Sequence, residues 1–316
     1  MILYSVEDVH MKKTDKYLKT LIMDFSGIYE EQQFWKGKEA SWVEARDIPG
    51  TNCYCDEDAM NEIRSRIAPY SSGEIHFIDS GNYHYMTRIW LEKISEPFDL
   101  LVFDNHTDMQ PPAFGGLLSC GGWIYDSVME LPLLQKVILI GPDEEAFSRV
   151  EPEIQKKVEF LSREKLRGME LMEILDFVKE QTGKNPLYIS IDKDVLCPED
   201  ADTNWSQGDM RLETMVRCLE CAVTRCKAGD ILSTGSENAD IEQLDAVRKD
   251  TQKDGAACSD LTVTDLCLLP GILGVDICGE CDAAGIGNSA LNDYANARLW
   301  EFFRHAAENE TSGGDR

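Results

Sequence analysis

The stretch LVFDNHTDMQ, residues 101–110, decides how the rest of the chain is read. Its opening residues Leu101, Val102 and Phe103 have the character of a buried strand. They lead straight into Asp104, His106 and Asp108, spaced two apart. A near-continuous apolar run points to a strand covered on both faces, as in a parallel sheet. Two carboxylates and an imidazole at its exit point to a metal site, because this donor mixture suits Mn²⁺, Fe²⁺ or Zn²⁺.

The same pattern recurs along the chain. EIHFIDSGNYH (74–84), KVILIGPD (136–143), PLYISIDKD (186–194) and GILGVDICGE (271–280) read as further strands. Helical periodicity marks MTRIWLEKI, EKLRGMELMEILDFVKEQTG and LETMVRCLECAVTRCKAG, the last two closing on Gly183 and Gly229 as C-caps. ALNDYANARLWEFFRHAAE reads as a C-terminal helix. Strands alternating with helices predict an open α/β sheet, with ligands gathered at the carboxyl ends of the strands. The simplest division is one domain over residues 1–308. It carries a polar surface insertion at 233–260 and a disordered tail at 309–316.

Composition narrows the partners. The 316 residues carry 31 Lys+Arg against 58 Asp+Glu, a net charge of -27. So acidic a surface repels nucleic acid and anionic membrane and leaves a small molecule as the expected partner. A homo-oligomer stays open. No apolar run reaches the roughly 18 residues of a membrane helix, and the polar opening MILYSVEDVHMKKTDK is unlike a signal peptide. Eleven cysteines then fit reduced thiols in a cytoplasm. Cys218 and Cys221, with Cys278 and Cys281, make two Cys-x-x-Cys pairs, but they lie too far apart for a zinc ribbon and the first falls in a helical run. Buried thiols are the expectation.

Collecting the strand exits gives His84, then Asp104, His106 and Asp108, then Asp192 and Asp194. Residues two apart on a strand share a face, so each motif can converge. Taken singly, each aspartate reads as a cap or turn residue. Together, four carboxylates and two imidazoles exceed one ion's needs and match two ions sharing a bridging carboxylate or water. Without metal they would repel one another.

These residues carry a resemblance. GNYH (81–84), DNHTD (104–108) and SIDKD (190–194), in this order, resemble the arginase/agmatinase/deacetylase (ureohydrolase) superfamily. The resemblance covers about residues 74–282 and leaves 1–70 unaccounted for. It implies a three-layer α/β/α sandwich with a mostly parallel central sheet. It also implies two divalent ions, Mn²⁺ first, with Zn²⁺ or Fe²⁺ as alternatives. His84 and Asp108 would hold one ion and His106 the other; Asp104 and Asp192 would bridge, and Asp194 would complete the ligand set of the second ion. Water between two cations becomes hydroxide at neutral pH and attacks a trigonal carbon, with Asp108 orienting it. The implied activity is hydrolysis of a non-peptide C–N bond in a small amidine, guanidino compound or amide.

The substrate half departs from the family. Arginases carry a histidine on the loop after the Asp-x-His-x-Asp element, whereas PPAFGGLLSCGGWIYD has none and offers Ser119, Cys120 and Trp123. Gly279 falls where the guanidinium-binding carboxylate is expected, and Glu280, one residue on, is the nearest replacement. TNWSQGDM, with Trp205, stands in place of a Gly-Thr-Gly segment. The paired histidines of deacetylases are missing, and Tyr83 and Tyr85 read as packing residues. A deacetylase-like amide hydrolase and a non-catalytic metal- and ligand-binding member remain the alternatives.

Overall fold

A computed structural model describes residues 19–112, 116–233, 271–281 and 289–308. The predicted tail lies outside the described residues, and so does the predicted insertion apart from Ser233. Ten strands lie among the described residues: β1 Thr20–Asp24, β2 Ser41–Glu44, β3 Tyr54–Cys55, β4 Ile75–Ile78 and β5 Phe98–Phe103. Then come β6 Leu118–Ser119, β7 Leu134–Ile140, β8 Val158–Leu161, β9 Leu187–Asp192 and β10 Ile272–Cys278. Eight of them form one sheet in the order β2-β1-β4-β10-β9-β5-β7-β8, every neighbour pair parallel. β3 and β6 form a separate antiparallel pair.

All five strands expected from sequence are present. Each alternates its side chains between two apolar layers, which is why the runs are continuous rather than alternating. Leu101 and Phe103 of β5 face one layer, and Leu100 and Val102 face the other. The first layer is covered by helices Leu171–Gln181, Leu212–Ser233 and Ser289–Glu308, through residues such as Val178, Leu219 and Phe303. The second is covered by helices Glu57–Ile67, Met86–Leu91 and Trp123–Glu130, through Ile63, Trp90 and Ile124. This is the three-layer α/β/α sandwich.

Local signals place the helix ends. The Asp56 carboxylate accepts the Ala59 N–H, and Glu170 with Glu173 forms a capping box. The 163–181 run is two helices, Arg163–Gly168 and Leu171–Gln181, because the second has its own N-terminal cap. Gly183 (φ 87) follows the C-cap Thr182 as expected. Gly229 is a correction: the helix Leu212–Ser233 runs through it.

Two further features of the sheet position the site. Residues left without a role before position 70 supply β1 and β2, so the sheet extends well beyond the metal motifs. β4 and β9 are not neighbours, because β10 lies between them, paired to both. At the carboxyl ends, the Asp79 carboxylate accepts the backbone N–H groups of Phe25 (2.9 Å) and Ser26 (2.8 Å). That ties the exit of β1 to the turn carrying His84.

Candidate metal centre

The three motifs meet at the carboxyl ends of β4, β9 and β5. Convergence does not come from strand alternation, as the spacing suggested. β5 ends at Phe103, and Asp104 to Asp108 lie in the following loop, with Asp108 at φ 47, a left-handed conformation. Non-glycine residues are held in that conformation only when their surroundings enforce it. Here the Trp123 indole N–H donates to Asp108 Oδ2 (2.7 Å), and the Ile124 N–H donates to the Asp108 carbonyl (3.0 Å). Asp192 closes β9, and Asp194 sits in the 3₁₀ turn Lys193–Val195. His84 follows the 3₁₀ turn Gly81–Tyr83.

The six side chains form two joined groups. His84 Nδ1 lies 3.1 Å from Asp108 Oδ2, 3.3 Å from Asp104 Oδ2 and 3.6 Å from Asp192 Oδ2. His106 Nδ1 lies 2.8 Å from Asp194 Oδ2 and 3.5 Å from Asp104 Oδ1. Asp104 thus offers one oxygen to each histidine. Burial alone would raise its carboxyl, but the His106 and His84 imidazoles hold it below the usual carboxylate range. Asp108 is pushed up to about 7 by burial and then by the charge of Asp104. Burial and neighbouring carboxylates also raise Asp192 and Asp194.

The protonation pattern fits a cation. Ser190 Oγ donates to Asp276 Oδ1 (2.7 Å), so it accepts from His84 Nε2–H (2.9 Å). That assigns a proton to Nε2 and turns Nδ1 toward the carboxylates; burial alone would lower the imidazole, but Cys278, Asp104 and Asp108 beside it raise it well above the ordinary histidine range. His84 is 1% exposed; its Nδ1 faces three carboxylates and, like Asp104 Oδ2, has no hydrogen-bond partner among the described residues. Buried lone pairs facing one another are costly unless a positive charge lies among them.

Beside the carboxylates is a cavity of about 570 Å³, within the usual range for small-molecule sites. Ser119, Cys120 and Trp205, expected at the substrate, line it together with Asp104, His106 and Asp108. Trp205 donates through Nε1 to Asn82 Oδ1 (2.9 Å) and packs on Gly81, where an added Cβ would come within 3.0 Å of the indole. Ser206 Oγ pairs with His106 Nε2 (3.0 Å). Arg163, on the same lining, carries no sequence signal that would mark it.

Two expected substrate residues lie elsewhere. Trp123 is fully buried behind Asp108 and orients that carboxylate instead of lining the cavity. Glu280 is also fully buried. It is ion-paired to Lys193 and hydrogen-bonded by Gln32 Nε2 (2.7 Å) and Asn296 Nδ2 (2.7 Å). Gly279 explains this placement: at φ 89, a Cβ there would come 2.4 Å from Asp192 Oδ1, so no side chain fits. Tyr83, stacked on Phe25 at 4.2 Å, and Tyr85, whose hydroxyl donates to the Thr51 carbonyl (2.6 Å), are packing residues.

The Lys193–Glu280 pair makes a prediction of its own. Lys193→Met should leave Glu280 as an unpaired buried charge and cost about 3–5 kcal/mol of stability. The drop in urea midpoint measures it. The double variant with Glu280→Gln should recover much of the loss, and an unchanged midpoint in the single variant would refute the pairing.

A parallel sheet with carboxylates and imidazoles gathered at its central strand ends is the architecture of metal-dependent ureohydrolases. The Arginase family profile matches residues 22–203, and the chain belongs to that family. It is similar to an uncharacterized protein from Thermotoga maritima, 32% identical over 198 residues, 63% of this chain and 72% of that one. Among solved structures it resembles arginase from Bacillus subtilis, with a TM-score of 0.57 and 10% identity over 91% of this chain and 98% of that one. Formimidoylglutamase from Bacillus subtilis gives a TM-score of 0.56 and 14% identity over 94% and 88%. Proclavaminate amidino hydrolase from Streptomyces clavuligerus gives 0.55 and 14% over 92% of each chain. At such identities the structural likeness speaks for the fold.

Proposed function

We propose that the protein is a binuclear metal-dependent hydrolase of a non-peptide C–N bond in a small amidine, guanidino compound or amide. One observation carries this reading: Asp104 presents one oxygen to each of two imidazole-carboxylate groups, while His84 Nδ1 and Asp104 Oδ2 lie buried without partners. His84, Asp104, Asp108 and Asp192 would hold one ion, and Asp104, Asp192, His106 and Asp194 the other. Two divalent ions there would acidify water to a hydroxide nucleophile near neutral pH.

The chain's own groups do the remaining work. Asp108, fixed by Trp123, is positioned to accept a proton from the nucleophile. Ser119, Cys120 and Trp205 offer hydroxyl, thiol and indole surfaces to a small substrate. No described helix is long and apolar enough to cross a membrane, and a cytoplasmic setting belongs to the same reading. A non-catalytic binding role is favoured by one feature: His106 is the only histidine on the described cavity lining, and the family's shuttle histidine has no counterpart.

Elemental analysis after loading with Mn²⁺, Zn²⁺ or Fe²⁺, followed by a hydrolysis screen over amidines, guanidino compounds and amides, separates these readings. Two ions per chain with turnover of at least one compound class is the expected outcome. Two ions without turnover would favour the binding role, and failure to hold any ion would remove both.

A further inference from the structure

β10 brings a sulfur to this site. Asp276 and Cys278, two apart on the strand, share a face and flank His84. Asp276 accepts from Ser190, which holds the imidazole's Nε2, while Cys278 lies near the carboxylates. Its Sγ is 3.3 Å from Asp192 Oδ2, the oxygen that itself lies 3.6 Å from His84 Nδ1. His84, Asp192 and Cys278 offer three buried donor atoms within 4.8 Å of one another. Donors sharing one zinc ion at about 2.0–2.3 Å each lie at most roughly 4.0–4.6 Å apart, and the separations of 3.3 and 3.6 Å fall inside that span. The second observation is His84 itself, 1% exposed, whose Nδ1 is directed into this group and has no hydrogen-bond partner among the described residues.

The geometry points to Cys278 as a thiolate ligand of the ion held by His84, an inference that rests on the binuclear reading above. Coordination would require the S–H bond to break heterolytically, the sulfur keeping the electron pair and sharing it with the cation while the proton leaves to solvent. Asp192 Oδ2, which accepts that S–H in the metal-free arrangement, becomes available to the ions. Sulfur is a soft donor, so this position selects Zn²⁺, Fe²⁺ or Co²⁺ over Mn²⁺. The other position, with Asp104, His106 and Asp194, has no sulfur within its group and suits Mn²⁺. The centre would then be an unlike pair, softer on the β10 side.

Cobalt loading of the full chain tests this. Elemental analysis counts the ions, and absorption spectroscopy detects the thiolate-to-cobalt charge-transfer band. The expected result is two Co²⁺ per chain with the band present, and loss of the band in Cys278→Ser at unchanged fold by circular dichroism. Two Co²⁺ without the band, or a band that survives in Cys278→Ser, overturns the assignment and leaves the metal centre standing. No bound cobalt overturns both readings. Should Cys278→Ser not fold, zinc X-ray absorption on the unaltered protein decides. A sulfur shell at about 2.3 Å supports the ligand, and a shell of nitrogen and oxygen alone refutes it.

Discussion

Asp104→Asn should abolish binding of the two divalent ions proposed for this centre. The Asp104 carboxylate faces His84 through Oδ2 and His106 through Oδ1, and Oδ1 also accepts the His106 backbone N–H (2.6 Å). An asparagine keeps the shape but has one oxygen, no charge, and an NH₂ that would point at a cation on one side. Losing an outer hydrogen-bond partner of a ligand already costs about 10–100-fold in metal affinity; losing the shared ligand should exceed that at both positions. Elemental analysis of the purified variant checks the stoichiometry. A variant that keeps both ions would sink the site.

L-Arginine should turn over poorly with any metal. Guanidinium hydrolysis needs a carboxylate to grip the planar cation bidentately and an acid for the departing amine. Glu280, the one replacement the sequence offered, is fully buried against Lys193, Asn296 and Gln32. Gly279 has no room for any side chain. Asp143 lies on the cavity lining but already accepts the Ala146 N–H (2.7 Å) and faces Arg163 (3.7 Å). Loss of a general acid alone costs about 10²–10⁴ in rate, so ornithine release should fall far below the roughly 1–10³ per second typical of enzymes. Ornithine appearing within that range would show that another group supplies the missing carboxylate.

The sequence displayed the metal half more openly than the substrate half. Ligands at strand exits leave a short, ordered signature, and the apolar runs before them are long because both faces are buried. β8, an edge strand reading VEFL with only Leu161 buried, carries no such run. β1 does: TLIMD has the same apolar run into aspartate, but no ligand follows to set it apart. The substrate half depends on space, which sequence spacing does not encode. Trp123 reads as a lining residue until the left-handed Asp108 turns its carboxylate into the indole. Glu280 reads as a free carboxylate until Lys193, 87 positions away, is seen beside it.

The position of β10 has a consequence for how the molecule comes into being. Among the described strands it alone joins β2-β1-β4 to β9-β5-β7-β8. His84 follows the first group, whereas Asp104, His106, Asp108, Asp192 and Asp194 all follow strands of the second. The last of the described strands in chain order is therefore the one that brings the two groups into register, through pairings of long sequence separation that form slowly. Until it inserts, a nascent chain holds Asp104, His106 and Asp194 without the histidine of the other half. The metal pair proposed above would then be complete only once β10 has been made.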